Sequence, residues 1–165
     1  MGIFAALWGI TGIMGLLGSA IYRLTPYALD LYNHELFWHH WTAILINVFF
    51  MGYAEGYRGF QKRFCPRVAA RALYLRNNPN LIHSLLAPFF CMSFFCAPLR
   101  QKILSISLTT GIICLIVLIR MQPQPWRGII DIGVVIGLIW GLVALMAFSY
   151  KAFTDETFSY PAGIK

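Results

Sequence analysis

Acidic residues are scarce in this chain: six of its 165 residues are Asp or Glu, and all charged residues together make up 12%. Ordinary soluble domains carry roughly 25%, so a water-facing surface of normal polarity cannot be assembled from this composition. The four cysteines, Cys65, Cys91, Cys96 and Cys114, include no C-x-x-C, and three of them sit inside apolar runs. Neither a zinc ribbon nor a disulfide framework follows from that spacing. If Cys91 and Cys96 share a helix they stand about 140° apart and cannot bond to each other. A glycine-rich phosphate loop is missing, as is any nucleophile–base–orienter set, so nothing in the sequence points positively to an enzyme. The N-terminal run "MGIFAALWGITGIMGLLGSAIYR" lacks the basic n-region of a signal peptide and reads as a retained membrane span.

What the chain has is hydrophobicity: 59% of residues are apolar and the mean hydropathy is +0.67. A hydrocarbon core about 30 Å thick takes about 20 apolar residues per helical crossing. Five such segments can be drawn, at 3–22, 36–54, 81–99, 103–119 and 129–150. The expected fold is an all-α polytopic transmembrane bundle of about five spans, with four as the alternative count, forming a single integral membrane domain. The second segment carries His39, His40 and Asn47, and the third carries Pro88 and ends at Pro98.

The net charge of +7 does not imply a nucleic-acid partner, because the cations gather between apolar runs rather than along a soluble face. Six of them, Arg58, Lys62, Arg63, Arg67, Arg71 and Arg76, follow one another without an intervening acid. The positive-inside rule places that connector, 58–78, in the cytoplasm. With five spans the N-terminus and the Arg120–Arg127 loop join it, giving eight Lys/Arg inside against five outside. A bacterial inner membrane is the expected location. Within the connector, "RVAARALYLRNN" groups Val68, Ala72 and Leu75 on one helical face. It is expected to lie in the interface as an amphipathic helix, with Lys62, Arg63, Arg67, Arg71 and Arg76 on the anionic headgroups of membrane lipids, each worth ~1 kcal/mol.

The firmest pattern is "GVVIGLIWG", where Gly133, Gly137 and Gly141 form one stripe. Apolar contact alone does little to associate helices in lipid, so close backbone approach over small residues marks a packing seam. Span one, with Gly9, Gly12 and Ser19, offers a partner surface. The seam could close within one chain, in a homo-oligomer, or against a larger membrane complex.

Under the five-span topology Glu55, Arg58, His83, Arg120, Arg127 and Asp131 fall at one depth near the inner ends of the spans. Glu55 with Arg58 at i+3 and Arg127 with Asp131 at i+4 have spacing for local ion pairs. One reading is a proton or cation site at Glu55 and Asp131 with His83 as shuttle. The simpler one is interfacial snorkelling plus two ion pairs.

"DLYNHELFWHH" sets His34, Glu35, His39 and His40 close together, and these are the weak metal candidates. H-E-x-x-H is absent, and His34 and His39 stand about 140° apart on a helix. A bis-histidine haem conflicts with the topology, which puts His39 and His40 at the outer side and His83 at the inner. No cofactor is implied. The leading expectation is a small non-enzymatic structural or accessory component that packs with itself or a larger membrane complex. The alternatives are a small transporter or channel using Glu55 and Asp131, and a metal-dependent membrane enzyme using the His34–His40 segment.

Overall fold

The computed structural model describes residues 2–78, 80–155, 158 and 160–163, without the side chains of Leu104, Ser107, Leu108, Gly111, Ile112 and Leu115. All regular elements among the described residues are helical. Helix α1 spans Gly2–Leu29 and tightens into a 3₁₀ turn at Asp30–Asn33; α2 is Trp38–Met51. A π-helical stretch, Gly52–Phe64, leads straight into α3, Cys65–Asn77. Two five-residue helices follow, α4 at Leu81–Leu85 and α5 at Ala87–Cys91, then α6 at Leu99–Arg120 and α7 at Trp126–Thr154.

The connector is therefore not a separate helix lying in the interface. From Trp38 to Asn77 the chain stays helical, with αR backbone at both junctions, Gly52 and Cys65. Val68, Ala72 and Leu75 do share a face, but it is buried in the core with Ala5, Ala6, Ile10 and Ile13 of α1, Phe90 of α5 and Leu145 of α7. Alanines dominate this contact because short side chains let helix backbones approach closely.

The contacts fix the helix directions. Gly2 lies against the Arg76 backbone, and the Arg76 guanidinium lies 5.6 Å from the Phe153 ring centroid. The start of α1 and the ends of α3 and α7 thus meet at one end of the bundle. At the other end Arg127 covers the Tyr27 ring at 3.6 Å, Leu31 packs on Gly128, and the His40 ring meets Trp126 edge-on at 5.5 Å. Helix α1 runs antiparallel to the α2–π–α3 rod and to α7, which are parallel to each other. Helix α6 starts at the Arg76 end, where Gln101 approaches Gly163 and the Ser105 hydroxyl donates to the Met92 carbonyl at 3.1 Å. It ends at Arg120, leading into α7 at the His40 end.

Residues 81–99 are not the third continuous span that the hydropathy suggested. Asn80 caps α4, Leu86 interrupts the helix, α5 ends at Cys91, and Ser93 and Cys96 take left-handed backbone with φ of 68° and 51°. Five residues of helix are about 7.5 Å long, far short of a crossing. The segment packs instead on α1, where Gly9 admits Ala87 and Cys91 and Gly12 admits Pro88. The helical geometry that kept Cys91 and Cys96 apart does not apply to this loop. Two helical segments, Gly2–Asn33 and Trp126–Thr154, qualify by length and apolar character as membrane crossings, with mean hydropathies of 1.7 and 2.5.

The π-helical stretch changes which residues share a face. Its hydrogen bonds run i to i+5, so side chains four and five apart share a face where an α-helix groups those three and four apart. Glu55, Phe60 and Cys65 accordingly meet the glycine stripe of α7: Glu55 at Gly137, Phe60 at Gly141, and the Cys65 thiol at the Gly141 carbonyl, 3.5 Å away. Gly56 and Gln61, also five apart, both meet Trp140. A Cβ at Gly56 would sit 3.0 Å from the indole, and the indole N–H donates to the Gln61 carbonyl oxygen at 2.8 Å.

Candidate functional site

The stripe of Gly133, Gly137 and Gly141 is buried, and it faces the α2–π–α3 rod rather than α1. Asn47 fills the space that Gly133 leaves and donates from its side-chain amide to the Ile129 carbonyl at 2.7 Å. That bond satisfies a polar group within the apolar run Ala43–Met51, which would be costly to leave unpaired. Below it Glu55 lies half-buried against Gly137.

The six-residue layer of charges does not form. Of its members, only Arg127 and Asp131 come together: Nε and the carboxylate are 3.7 Å apart, and Asp131 is 2% exposed. Neither the Arg127 Nε nor the facing Asp131 oxygen has a hydrogen-bond partner among the described residues. The pair lies at the His40 end, beside Tyr27. Arg120, exposed, closes α6 at that same end. His83 is far from both, stacked on Phe90 at 4.9 Å with its Nε2 3.4 Å from the Cys96 sulfur. Glu55 and Arg58 make no ion pair among the described residues, because three positions along a π-helix do not align two side chains.

The histidine segment is an ordinary helix start. His34 lies 3.6 Å from Asp30; His34 and Glu35 are exposed and Asp30 is half-buried. His40 is 7% exposed, and its Nδ1 accepts the Phe37 backbone N–H at 3.1 Å. That bond requires the other nitrogen of a neutral His40 to carry the proton, and this Nε2 faces the Nε2 of His39 at 3.1 Å. Both Nε2 atoms are thereby turned to each other. No three of the described His, Cys, Asp or Glu side chains converge as a metal site.

Among the basic residues the departure from expectation is Arg71. It is 0% exposed and so is not a headgroup contact. Its Nε donates to Ala162 at 3.0 Å, one Nη to Phe90 and Phe95 at 2.6 and 3.3 Å, and the other Nη to Cys96, all backbone carbonyls. The guanidinium also lies 4.7 Å from the Phe90 ring centroid. A rigid fork of five N–H donors suits this task, since an irregular loop leaves carbonyls that no helix can satisfy. Arg71 thus ties the 90–96 loop and the C-terminal tail to α3. Sequence patterning missed it because the arginine sits in a run of like charges that reads as surface.

Lys62, Arg63 and Arg67 keep outward positions: the first two are exposed and the third is half-buried. Arg76 lies over Phe153. Gln61, Gln101 and Tyr160, which carried no sequence signal, join this polar side of the molecule. No family model, no curated protein and no solved structure matches the chain.

Proposed function

We propose that the chain is a non-enzymatic integral membrane component that crosses the bilayer four times and packs with a second copy or a larger membrane complex through α6. The carrying observation is α6 itself. Among the described residues it touches the other helices only slightly, at α7, while Leu99, Ile106, Ile113 and Val117 form an exposed apolar stripe along it. Thr110 and Cys114, also exposed, stand one turn apart on a neighbouring stripe, and small residues at that spacing favour close helix approach in lipid.

Four crossings, α1, α2–π–α3, α6 and α7, are supported by the way these elements alternate between the two ends of the bundle. The charges sort accordingly. Lys62, Arg63, Arg67, Arg71, Arg76, Arg100, Lys102 and Lys151 belong to the Arg76 half, whereas Arg23, Arg120 and Arg127 belong to the His40 half. That eight-to-three division, with Arg58 between the ends and Lys165 outside the described residues, is steeper than the five-span count of eight to five. It supports a cytoplasmic Arg76 end in a bacterial inner membrane. The described tail then lies inside and the 120–127 loop outside, the reverse of the five-span assignment.

Crosslinking tests the packing reading. A bifunctional maleimide applied to native membranes is expected to join Cys114 to a protein neighbour, giving a discrete adduct that vanishes in Cys114→Ala. A wild-type chain that yields no protein adduct and migrates as a monomer in mild detergent contradicts it.

A second reading rests on Asp131, a buried acid with one oxygen lacking a hydrogen-bond partner. Intramembrane acids of this kind serve as proton or cation sites. Proteoliposomes showing a cation- or proton-dependent flux that Asp131→Asn abolishes would favour it; absence of flux in the parent chain removes it.

A further inference from the structure

Two concave features adjoin each other on the outer side of the rod. The first is a cleft of about 370 Å³ lined by Lys62, Arg63, Arg67, Gln101 and Tyr160. Three cationic residues, an amide and a phenol therefore border one cleft between the rod, the start of α6 and the tail, with the Lys62 ammonium resting over the Tyr57 ring beside it. The ion pairs seen among the described residues lie at Asp30–His34 and Arg127–Asp131, away from this cleft. Arg67 uses its Nε on the Arg63 carbonyl at 2.9 Å, which fixes the guanidinium and leaves the Nη groups to donate elsewhere.

The second feature is a groove of about 540 Å³ along α7, lined by Ile136, Ile139, Trp140, Val143, Ala147 and Phe148. It begins where the cleft ends: Phe148 meets the Tyr160 ring edge-on at 6.1 Å, and Gln61, beside Lys62, lines its wall. From Phe148 to Ile136 the groove follows α7 for about 18 Å at 1.5 Å per residue. One leaflet of the ~30 Å hydrocarbon core is about 15 Å deep. Tyr160, which lines the cleft with the cations, meets Phe148 near the end of the apolar part of α7, where a headgroup would lie.

We propose that this composite site binds one anionic phospholipid, its phosphate held by Lys62, Arg63, Arg67 and the Tyr160 hydroxyl and one acyl chain laid in the groove from Phe148 toward Ile136. The proposal rests on the membrane reading above. Charge complementarity selects an anionic headgroup over a zwitterionic one, and the groove distinguishes a lipid from a free phosphate, which would occupy the cleft alone. Guanidinium forks match phosphate oxygens in pairs.

The test uses delipidated full-length protein in a non-ionic detergent, titrated with phosphatidylglycerol, phosphatidylcholine or inorganic phosphate, and read by native mass spectrometry and by thermal unfolding. Phosphatidylglycerol is expected to bind one per chain and raise the unfolding temperature, while the other two do neither. The triple variant K62Q/R63Q/R67Q should weaken this binding by about fivefold per charge, on the order of a hundredfold in all. Ala147→Trp, which fills the groove, should also weaken phosphatidylglycerol binding. Equal binding of phosphatidylcholine overturns the site as a selective one. Equal stabilisation by inorganic phosphate assigns the cleft to a soluble anion and overturns the lipid. If a variant fails to fold, the three wild-type titrations still decide. Loss of lipid selectivity alongside an intact four-crossing topology removes this site alone.

Discussion

The ammonium of Lys62 lies 4.6 Å from the centroid of the Tyr57 ring, five residues before it. That pairing is possible because Gly52–Phe64 winds as a π-helix, and the same five-residue period places Gly56 and Gln61 together on Trp140. In an α-helix Gln61 would point about 140° away from Gly56.

The π register is checked at the Trp140 indole. Gln61→Leu is expected to shift the Trp140 Nε1–H resonance in an indole-labelled NMR spectrum, because it removes the acceptor at 2.8 Å. An unchanged Trp140 signal would place Gln61 elsewhere and return this stretch to α-helical winding.

The glycines of α7 should differ sharply from one another. A Cβ at Gly137 meets Glu55 at 3.4 Å, an ordinary contact, so Gly137→Ala should be nearly neutral. At Gly128 the added carbon comes within 2.6 Å of Leu31 and 2.8 Å of the Tyr27 backbone oxygen, and overpacking of that kind costs about 1–3 kcal/mol. Gly133→Ala collides with the Asn47 amide, which is held by its bond to Ile129. Thermal unfolding in detergent should therefore rank Gly137→Ala well above Gly128→Ala and Gly133→Ala. Asn47→Ala, itself costing about 1 kcal/mol for the lost hydrogen bond, should absorb much of the Gly133→Ala penalty in the double variant. Strict additivity of the two would contradict the contact.

Arg71 makes a prediction about local order. Replacing it with Lys keeps the charge but cannot reproduce a fork to Ala162, Phe90, Phe95 and Cys96. Hydrogen bonds to a charged donor contribute about 1.5–3 kcal/mol each. Arg71→Lys should lower stability by on the order of 3 kcal/mol and raise amide exchange at 90–96 and 160–163. By contrast, Arg67→Gln should leave exchange there near the parent level. Equal exchange in the parent and Arg71→Lys chains would remove Arg71 as the tie between loop and tail.

Much of the fold was legible in composition and spacing. The apolar runs at 3–22 and 129–150 lie within long helices, and the 131/127 ion pair follows from i+4 geometry. Three things were hidden, each for a physical reason. Hydropathy averages over 81–99 without regard to Pro88 or the left-handed Ser93 and Cys96, so a packed loop looks like a span. A pattern of 3.6 cannot anticipate a π-helix, so the spacing pairs Glu55 with Arg58, whereas Glu55 faces Gly137. A run of like charges gives no sign that one member, Arg71, is turned inward onto backbone carbonyls.

In the proposed topology four helical elements alternate between two ends, so that the 120–125 loop shares a side with Glu35 and not with Asn78. Cys65 and Cys91 are buried and serve poorly as reporters. Single cysteines at Glu35, Asn78 and Gln122, all exposed, can be introduced in a Cys96→Ala/Cys114→Ala background and labelled with a membrane-impermeant maleimide on intact cells and on inverted vesicles. Glu35→Cys and Gln122→Cys are expected to react from outside and Asn78→Cys from inside. Reaction of Gln122→Cys from the same side as Asn78→Cys would contradict that topology.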